Sequence, residues 1–197
     1  MQFDYTDLSP AQIYKLMSQT IVPRPIAWIV TQNHGVTNVA PFSYFTGLSS
    51  QPPTMLVSIG HKRDGSPKDT LRNLRETGRA TVCIAATRQL EALHLSSAAL
   101  GADESEAERF DIALSPFIEG FAPRIAEAPV AFACELHSEI ALEGSPTVPL
   151  VLKIHHQYID DTALIDAERL AVAFDPIARI GAGYARIGET LDAPELL

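Results

Sequence analysis

Ser66-Pro67-Lys68-Asp69-Thr70 sets an ammonium group and two hydroxyls just ahead of the apolar pair Leu71 and Leu74. A helix beginning here presents unbonded N–H groups and the positive end of its dipole, which suits an anion. Lys68 adds a full charge and Thr70 a hydroxyl donor, so the parts of a phosphate site are present without a P-loop glycine pattern. The same residues also describe a surface helix capped by Asp69 with a solvated lysine. On these residues alone both readings stand.

A second segment runs Asn38-Val39-Ala40-Pro41-Phe42-Ser43-Tyr44-Phe45, then Ser49-Ser50-Gln51-Pro52-Pro53. Its prolines forbid a regular central strand, so some backbone groups need other partners. Aromatic rings interleaved with short hydroxyls suit a flat heteroaromatic ligand with apolar faces and polar edges. They equally suit an irregular loop plugging the end of a barrel.

The remaining reactive groups are weaker. His155 and His156 are adjacent on a strand-like run, so they point to opposite faces and cannot chelate one metal together. His137 and His155, with Glu135 or Glu139 nearby, read as a polar outer face in preference to a metal site. Cys83 and Cys134 lie in apolar runs, as inert buried thiols do. No Ser-His-Asp spacing and no G-x-G-x-x-G fingerprint appears. No catalytic acid, base or metal ligand is assigned.

These groups need a scaffold. Ser9 and Pro10 open an amphipathic helix through Ile13, Leu16, Met17 and Ile21, which Pro23 and Pro25 end. Residues 26–31 and 36–40 read as strands joined at Gln32-Asn33-His34-Gly35, and 54–59 and 80–85 as two more. A short helix capped by Asp69 and stopped at Gly78 lies between the latter two. Residues 88–114 look helical, with Asp103 or Ser105 capping a second stretch. Phe132, Cys134 and Leu136 alternate with Glu135 and His137, and Leu150, Leu152 and Ile154 continue that period of two. At least six strands without βαβ alternation predict an antiparallel barrel or sandwich with peripheral helices.

Length and composition set the outer bounds. At roughly 150 residues per domain, 197 residues predict one domain. A net charge of −9 argues against nucleic acid and anionic membranes as partners, while leaving room for a local basic pocket. The N-terminus has neither a basic region nor a following apolar stretch, so no signal peptide is expected. No apolar run is long enough to span a membrane. A cytoplasmic protein is the expectation.

Four separated motifs together carry a resemblance. Arg24-Pro25-Ile26-Ala27-Trp28, Asn38-x-Ala40-Pro41-x-Ser43-x-Phe45, Gln51-Pro52-Pro53 and Lys68-Asp69-Thr70 occur in this order and at this spacing. In this the chain resembles the flavin reductase-like, FMN-binding split-barrel family, close to its flavoredoxin-type members. The resemblance implies a mainly β, antiparallel Greek-key split barrel with peripheral helices. It implies a single domain over 1–197, with a helical insertion at about residues 87–115, and a homodimer holding one FMN per subunit near the interface.

The resemblance sets Asn38, Ala40, Pro41, Phe42, Ser43, Tyr44 and Ser49 against the isoalloxazine and ribityl parts. It sets Lys68, Asp69 and Thr70 at the phosphate, with Trp28 and Arg24 lining the site. His94, on the central insertion and outside the motifs, leaves two readings open: a group that approaches the flavin, or an ordinary surface histidine of a helix. Arg179-Ile180-Gly181-Ala182-Gly183-Tyr184 departs from the family's Arg-x-Gly-Gly pattern before a tyrosine, so no ligand role is carried onto Arg179 or Tyr184. The implied activity is hydride transfer from NADH or NADPH to FMN, with a monooxygenase or another electron acceptor downstream. The rival is an FMN-binding electron carrier without catalysis; a third reading is a split barrel that has lost its ligand.

Overall fold

The computed structural model describes residues 1–193, so the last four residues of the expected domain lie outside the described residues. Ser9 caps helix α1 (Pro10–Thr20): its hydroxyl accepts from the Gln12 N–H while Gln12 Oε1 accepts from the Ser9 N–H. Strands β1 (Ala27–Asn33) and β2 (Val36–Phe42) form a hairpin. His34 and Gly35 make its two-residue turn, both at positive φ (48° and 81°), which matches the twist of the flanking strands. Next come β3 (Phe45–Ser50), β4 (Pro53–Gly60), α2 (Asp69–Thr77) and β5 (Arg79–Ile84).

The insertion that follows is less helical than its apolar spacing predicts. It holds α3 (Leu90–Leu95) and the single turn α4 (Glu106–Arg109), followed by the short strands β6 (Leu114–Ser115) and β7 (Arg124–Ile125). Between α3 and α4 the chain is irregular: Ser97 and Glu104 close local turns, while Ser96 and Ser105 bond to β1 and β2. Long strands β8 (Val130–Glu139) and β9 (Thr147–Ile159) come next. The hairpins β10 (Leu164–Asp166) with β11 (Ala171–Val172), and β12 (Ile177–Ile180) with β13 (Gly183–Arg186), end the described fold.

Seven strands make one antiparallel sheet in the order β2-β1-β5-β8-β9-β4-β3. Its outermost strands are consecutive in the chain, with only Ser43 and Tyr44 between them. Laid flat, strands about 4.8 Å apart would put β2 and β3 about 29 Å from each other. The three links from Phe42 to Phe45 span at most about 11 Å. The sheet therefore rolls up into a barrel, left split between β2 and β3.

Alternation along β1 feeds two cores. Ala27 and Ile29 pack inside the barrel with Met55, Val57, Val82, Leu150 and the α2 residues Leu71 and Leu74. Trp28 and Val30 pack outward, beneath Leu93, Ala107, Ile112 and Ile125 of the insertion. The sheet is buried on both faces there, which is why β1 reads as a continuous apolar run. No helix among the described residues is long and apolar enough to cross a membrane.

Candidate functional site

Helix α2 starts one residue earlier than its sequence suggests. Lys68, not Asp69, is the N-cap, and no side chain among the described residues bonds the first-turn N–H groups. Asp69 instead turns to basic neighbours, with Lys62 Nζ and Arg72 Nη1 each 2.8 Å from its carboxylate. Gly78 closes the far end in the left-handed conformation, at φ 72°. Lys62 and Arg72 thus neutralise Asp69, while the acids Glu76, Asp103 and Glu104 share the cavity beside Asp69 and Arg72. Lys68 has no carboxylate partner among the described residues, and its ammonium lies 5.6 Å from the centre of the Phe42 ring. Ser66 is already engaged, donating its hydroxyl and its N–H to Asp64.

Strand β2 supplies the facing wall. Asn38, Ala40 and Phe42 alternate onto the face that meets α2. Asn38 donates its side-chain amide to the Thr70 hydroxyl at 2.9 Å, with both residues buried. Thr70, at 1% exposure, thus ties helix to strand, and Lys68 is the open group of the expected phosphate trio.

The outer edge of β2 is covered by residues that sequence reasoning missed. Glu106 accepts from the Val39 N–H at 2.8 Å, and Ser105 donates to the Thr37 carbonyl at 2.6 Å. Together they stand in for a neighbouring strand, while Pro41, on the same edge strand, has no N–H to leave unpaired. Glu106 is 6% exposed, and burial pushes its carboxyl above the ordinary range, with Asp69 and Glu104 pushing the same way. Inside an acidic run a glutamate looks solvated; no local signal marks this one as buried.

Ser43 and Tyr44 bridge the split. The Tyr44 carbonyl accepts from the Ser58 N–H at 2.9 Å, and its ring meets Tyr14 at 6.3 Å between centroids. Desolvation and Tyr14 push the Tyr44 phenol up, against the pull of Arg24. Ser49 lies on the exposed strand β3, its hydroxyl accepting from the Gln51 N–H at 3.0 Å. Arg24 is buried, and its Nη1 donates to the Ser18 and Ile21 carbonyls at the end of α1. Its backbone bridges Arg179 in both directions. It fastens α1 to β12 rather than opening toward a ligand.

Trp28 is separated from this group. It is fully buried on the outward core, with its indole N–H on Ser96 at 2.9 Å. His94 sits near Tyr184, with Nδ1 3.1 Å from the phenol oxygen, and the Arg179 guanidinium stacks on the same tyrosine at 4.6 Å. His155 pairs with Glu135 at 2.8 Å, where a register shift in β8–β9 leaves it unpaired in the ladder. No cluster of three metal-ligating side chains occurs among the described residues. Cys83 and Cys134 belong to different cores, and burial pushes both thiols up to about 12.

A barrel of this topology, with the start of α2 set against the strand beside its split, is the flavin reductase split-barrel fold. The family profile described as "Flavin reductase like domain" matches residues 17–173, and the chain belongs to that family. It is 33% identical to the uncharacterised protein BH2278 of Halalkalibacterium halodurans, over 100% of this chain and 98% of the other. Among solved structures it is similar to the 2-nitrobenzoate 2-nitroreductase NbaA of Pseudomonas fluorescens, at 30% identity and TM-score 0.88, covering 100% and 98% of the two chains. Nitrilotriacetate monooxygenase component B from Bacillus cereus is similar at 28% identity and TM-score 0.88, covering 98% of each chain. The family and these neighbours support a flavin-related oxidoreductase.

Proposed function

We propose that the protein is an FMN-binding, NAD(P)H-dependent flavin reductase that works as a homodimer. The observation that carries this is the α2 terminus: among the described residues its first-turn N–H groups have no side-chain cap and Lys68 has no carboxylate partner, and Phe42 lies beneath that ammonium. An anion joined to an apolar ring system fits such a place, and FMN is both at once.

When bound, FMN supplies a ring that accepts a hydride and passes electrons onward. The chain's task is to hold and orient it. Lys68 and the α2 N–H groups take the phosphate dianion, with Lys62 and Arg72 cancelling the charge of Asp69. The Asn38–Thr70 bond fixes the distance between the phosphate end and β2. Ala40, Pro41 and Phe42 supply apolar surface, and Ser43, Tyr44 and Ser49 supply polar groups for the ring edge and ribityl chain. Trp28 supports β1 from the opposite face and does not touch the ring.

The second subunit covers the split. Strand β3 is a sheet edge with Leu48 half-exposed, and Tyr44 lies open beside it. Such an edge is a surface for a twin copy, which would close the flavin site from outside. The neighbours named as a nitroreductase and as a monooxygenase component support a separate electron acceptor downstream of the flavin, with NADH or NADPH as the donor.

Titrating FMN fluorescence with the purified protein tests the binding claim. Saturable quenching at one FMN per subunit is expected. A folded protein that leaves FMN fluorescence unchanged at every concentration overturns it.

A further inference from the structure

We propose that the cavity between α1 and the β12–β13 turn binds a small planar organic anion of the aromatic carboxylate class. Its place in the reaction, as a second ligand beside the flavin, rests on the function proposed above; its chemistry does not.

Tyr14, Lys15, Ser18 and Gln19 recur at helical spacing, so they face the same side of α1. The β12–β13 turn docks against that side, with the Gly181 N–H donating to the Ser18 carbonyl at 2.9 Å. Gly181 takes φ 48°, and a Cβ there would come within 3.3 Å of Gln19 Cγ. The missing side chain therefore permits both the close approach and the space beside it. That space is about 710 Å³, within the range of small-molecule sites.

The lining is chemically one-sided. Tyr14, Val22, Ile180 and Ala182 give apolar walls, Ser18 and Gln19 add polar groups, Lys15 and Arg179 are basic, and no acid among the described residues lines the cavity. Neither cation pairs with a carboxylate among the described residues, on a chain whose net charge is −9. The Arg179 guanidinium stacks at 4.6 Å on Tyr184, which lies outside the lining; swung from that ring toward the cavity, its planar fork suits a carboxylate. Behind the wall lies Arg24, buried, its Nε without a partner. Apolar walls with cationic groups favour an organic anion over inorganic phosphate, whose oxygens would leave those walls wet.

Position relates the cavity to the proposed flavin site. Tyr14 lines it and meets Tyr44 at 6.3 Å, and Tyr44 lies in the link across the split. One aromatic contact separates the two sites.

Calorimetric titration of benzoate, with benzyl alcohol as its uncharged counterpart, tests the site in flavin-free and FMN-loaded protein. Benzoate should bind both forms, and Lys15→Gln or Arg179→Gln should each weaken it roughly tenfold, as loss of a charge-assisted contact does. Benzyl alcohol should respond to neither substitution. Lys15 is exposed on α1, so Lys15→Gln reports even if Arg179→Gln disturbs the hairpin. Benzoate that binds neither form overturns the proposal, as does equal loss of both probes. A Lys15→Gln that shifts the subunit equilibrium without changing benzoate affinity also overturns it and gives the face to a second copy. Charge-dependent benzoate binding beside absent FMN binding leaves the cavity standing and defeats the flavin reading alone.

Discussion

Asn38 and Thr70 are hydrogen-bonded to each other, amide to hydroxyl, at 2.9 Å inside the protein. Two residues expected to touch a ligand are thus first a structural tie between β2 and α2. Thr70→Val keeps the shape and removes the acceptor, leaving the buried Asn38 amide one partner short. The expected cost is about 1–3 kcal/mol in urea denaturation, with Thr70→Ser close to the parent. A Thr70→Val protein as stable as the parent would show that the tie adds nothing.

Glu106 gives the fold a dependence on pH. Burial raises its folded pKa above that of the unfolded chain, so between those two values the folded state binds more protons. Its contribution to stability is therefore fully present below its ordinary value and is lost as pH rises through the folded one. Glu106→Gln keeps an acceptor for the Val39 N–H and removes that loss. Thermal melts between about pH 5 and 8 should show a flatter profile for this variant, and no deficit at the upper end. Glu106→Ala orphans the Val39 N–H and should lose about 1–3 kcal/mol. A Gln variant that tracks the parent at every pH would remove Glu106 from this role.

Arg24 should resist conservative replacement. Its guanidinium reaches two carbonyls at the end of α1, Ser18 and Ile21, while its backbone bridges Arg179. Lysine offers one compact charge in place of a planar fork, so Arg24→Lys should cost about 1.5–3 kcal/mol. Limited proteolysis should then cut earlier near residues 177–186, the hairpin fastened to that point. Unchanged cleavage would contradict the fastening.

What was legible in the sequence was local. Ser9 with Pro10, the turn ending in Gly35 and the stop at Gly78 each carry their own backbone reason, and each stands where it was read. The antiparallel, mainly β class followed from the period of two in β8 and β9. Strand β3 was missed, because Phe45-Thr-Gly-Leu-Ser-Ser is a mostly exposed edge with no buried alternation. The insertion read as helix since Leu90 and Leu93 fall at helical spacing, yet its polar groups serve β2 and Trp28 instead. Of the expected site residues, Asn38 meets Thr70 and Phe42 meets Lys68, while Tyr44, in the link across the split, faces Tyr14. That Thr70 and Asn38 satisfy each other, and that Trp28 faces away, depends on long-range packing that spacing does not encode.

Lys68 is the open charge at α2, so its loss should be felt by a phosphate and not by a ring. Lys68→Ala should weaken FMN roughly tenfold to 150-fold, the range for a charge-assisted contact. Riboflavin, with the same ring and ribityl chain but no phosphate, should barely respond. Equal loss of both ligands, or of neither, would return Lys68 to the solvent.

The central claim is that nicotinamide reduces flavin on this protein. Its most direct measurement is the visible flavin band of the FMN-loaded protein, followed without oxygen after mixing with NADH or NADPH. We predict that one of the two bleaches the band faster than it bleaches free FMN, and that an added acceptor restores it. A bound flavin that dithionite reduces, and that neither nicotinamide reduces faster than free FMN, would contradict the account and leave an electron carrier.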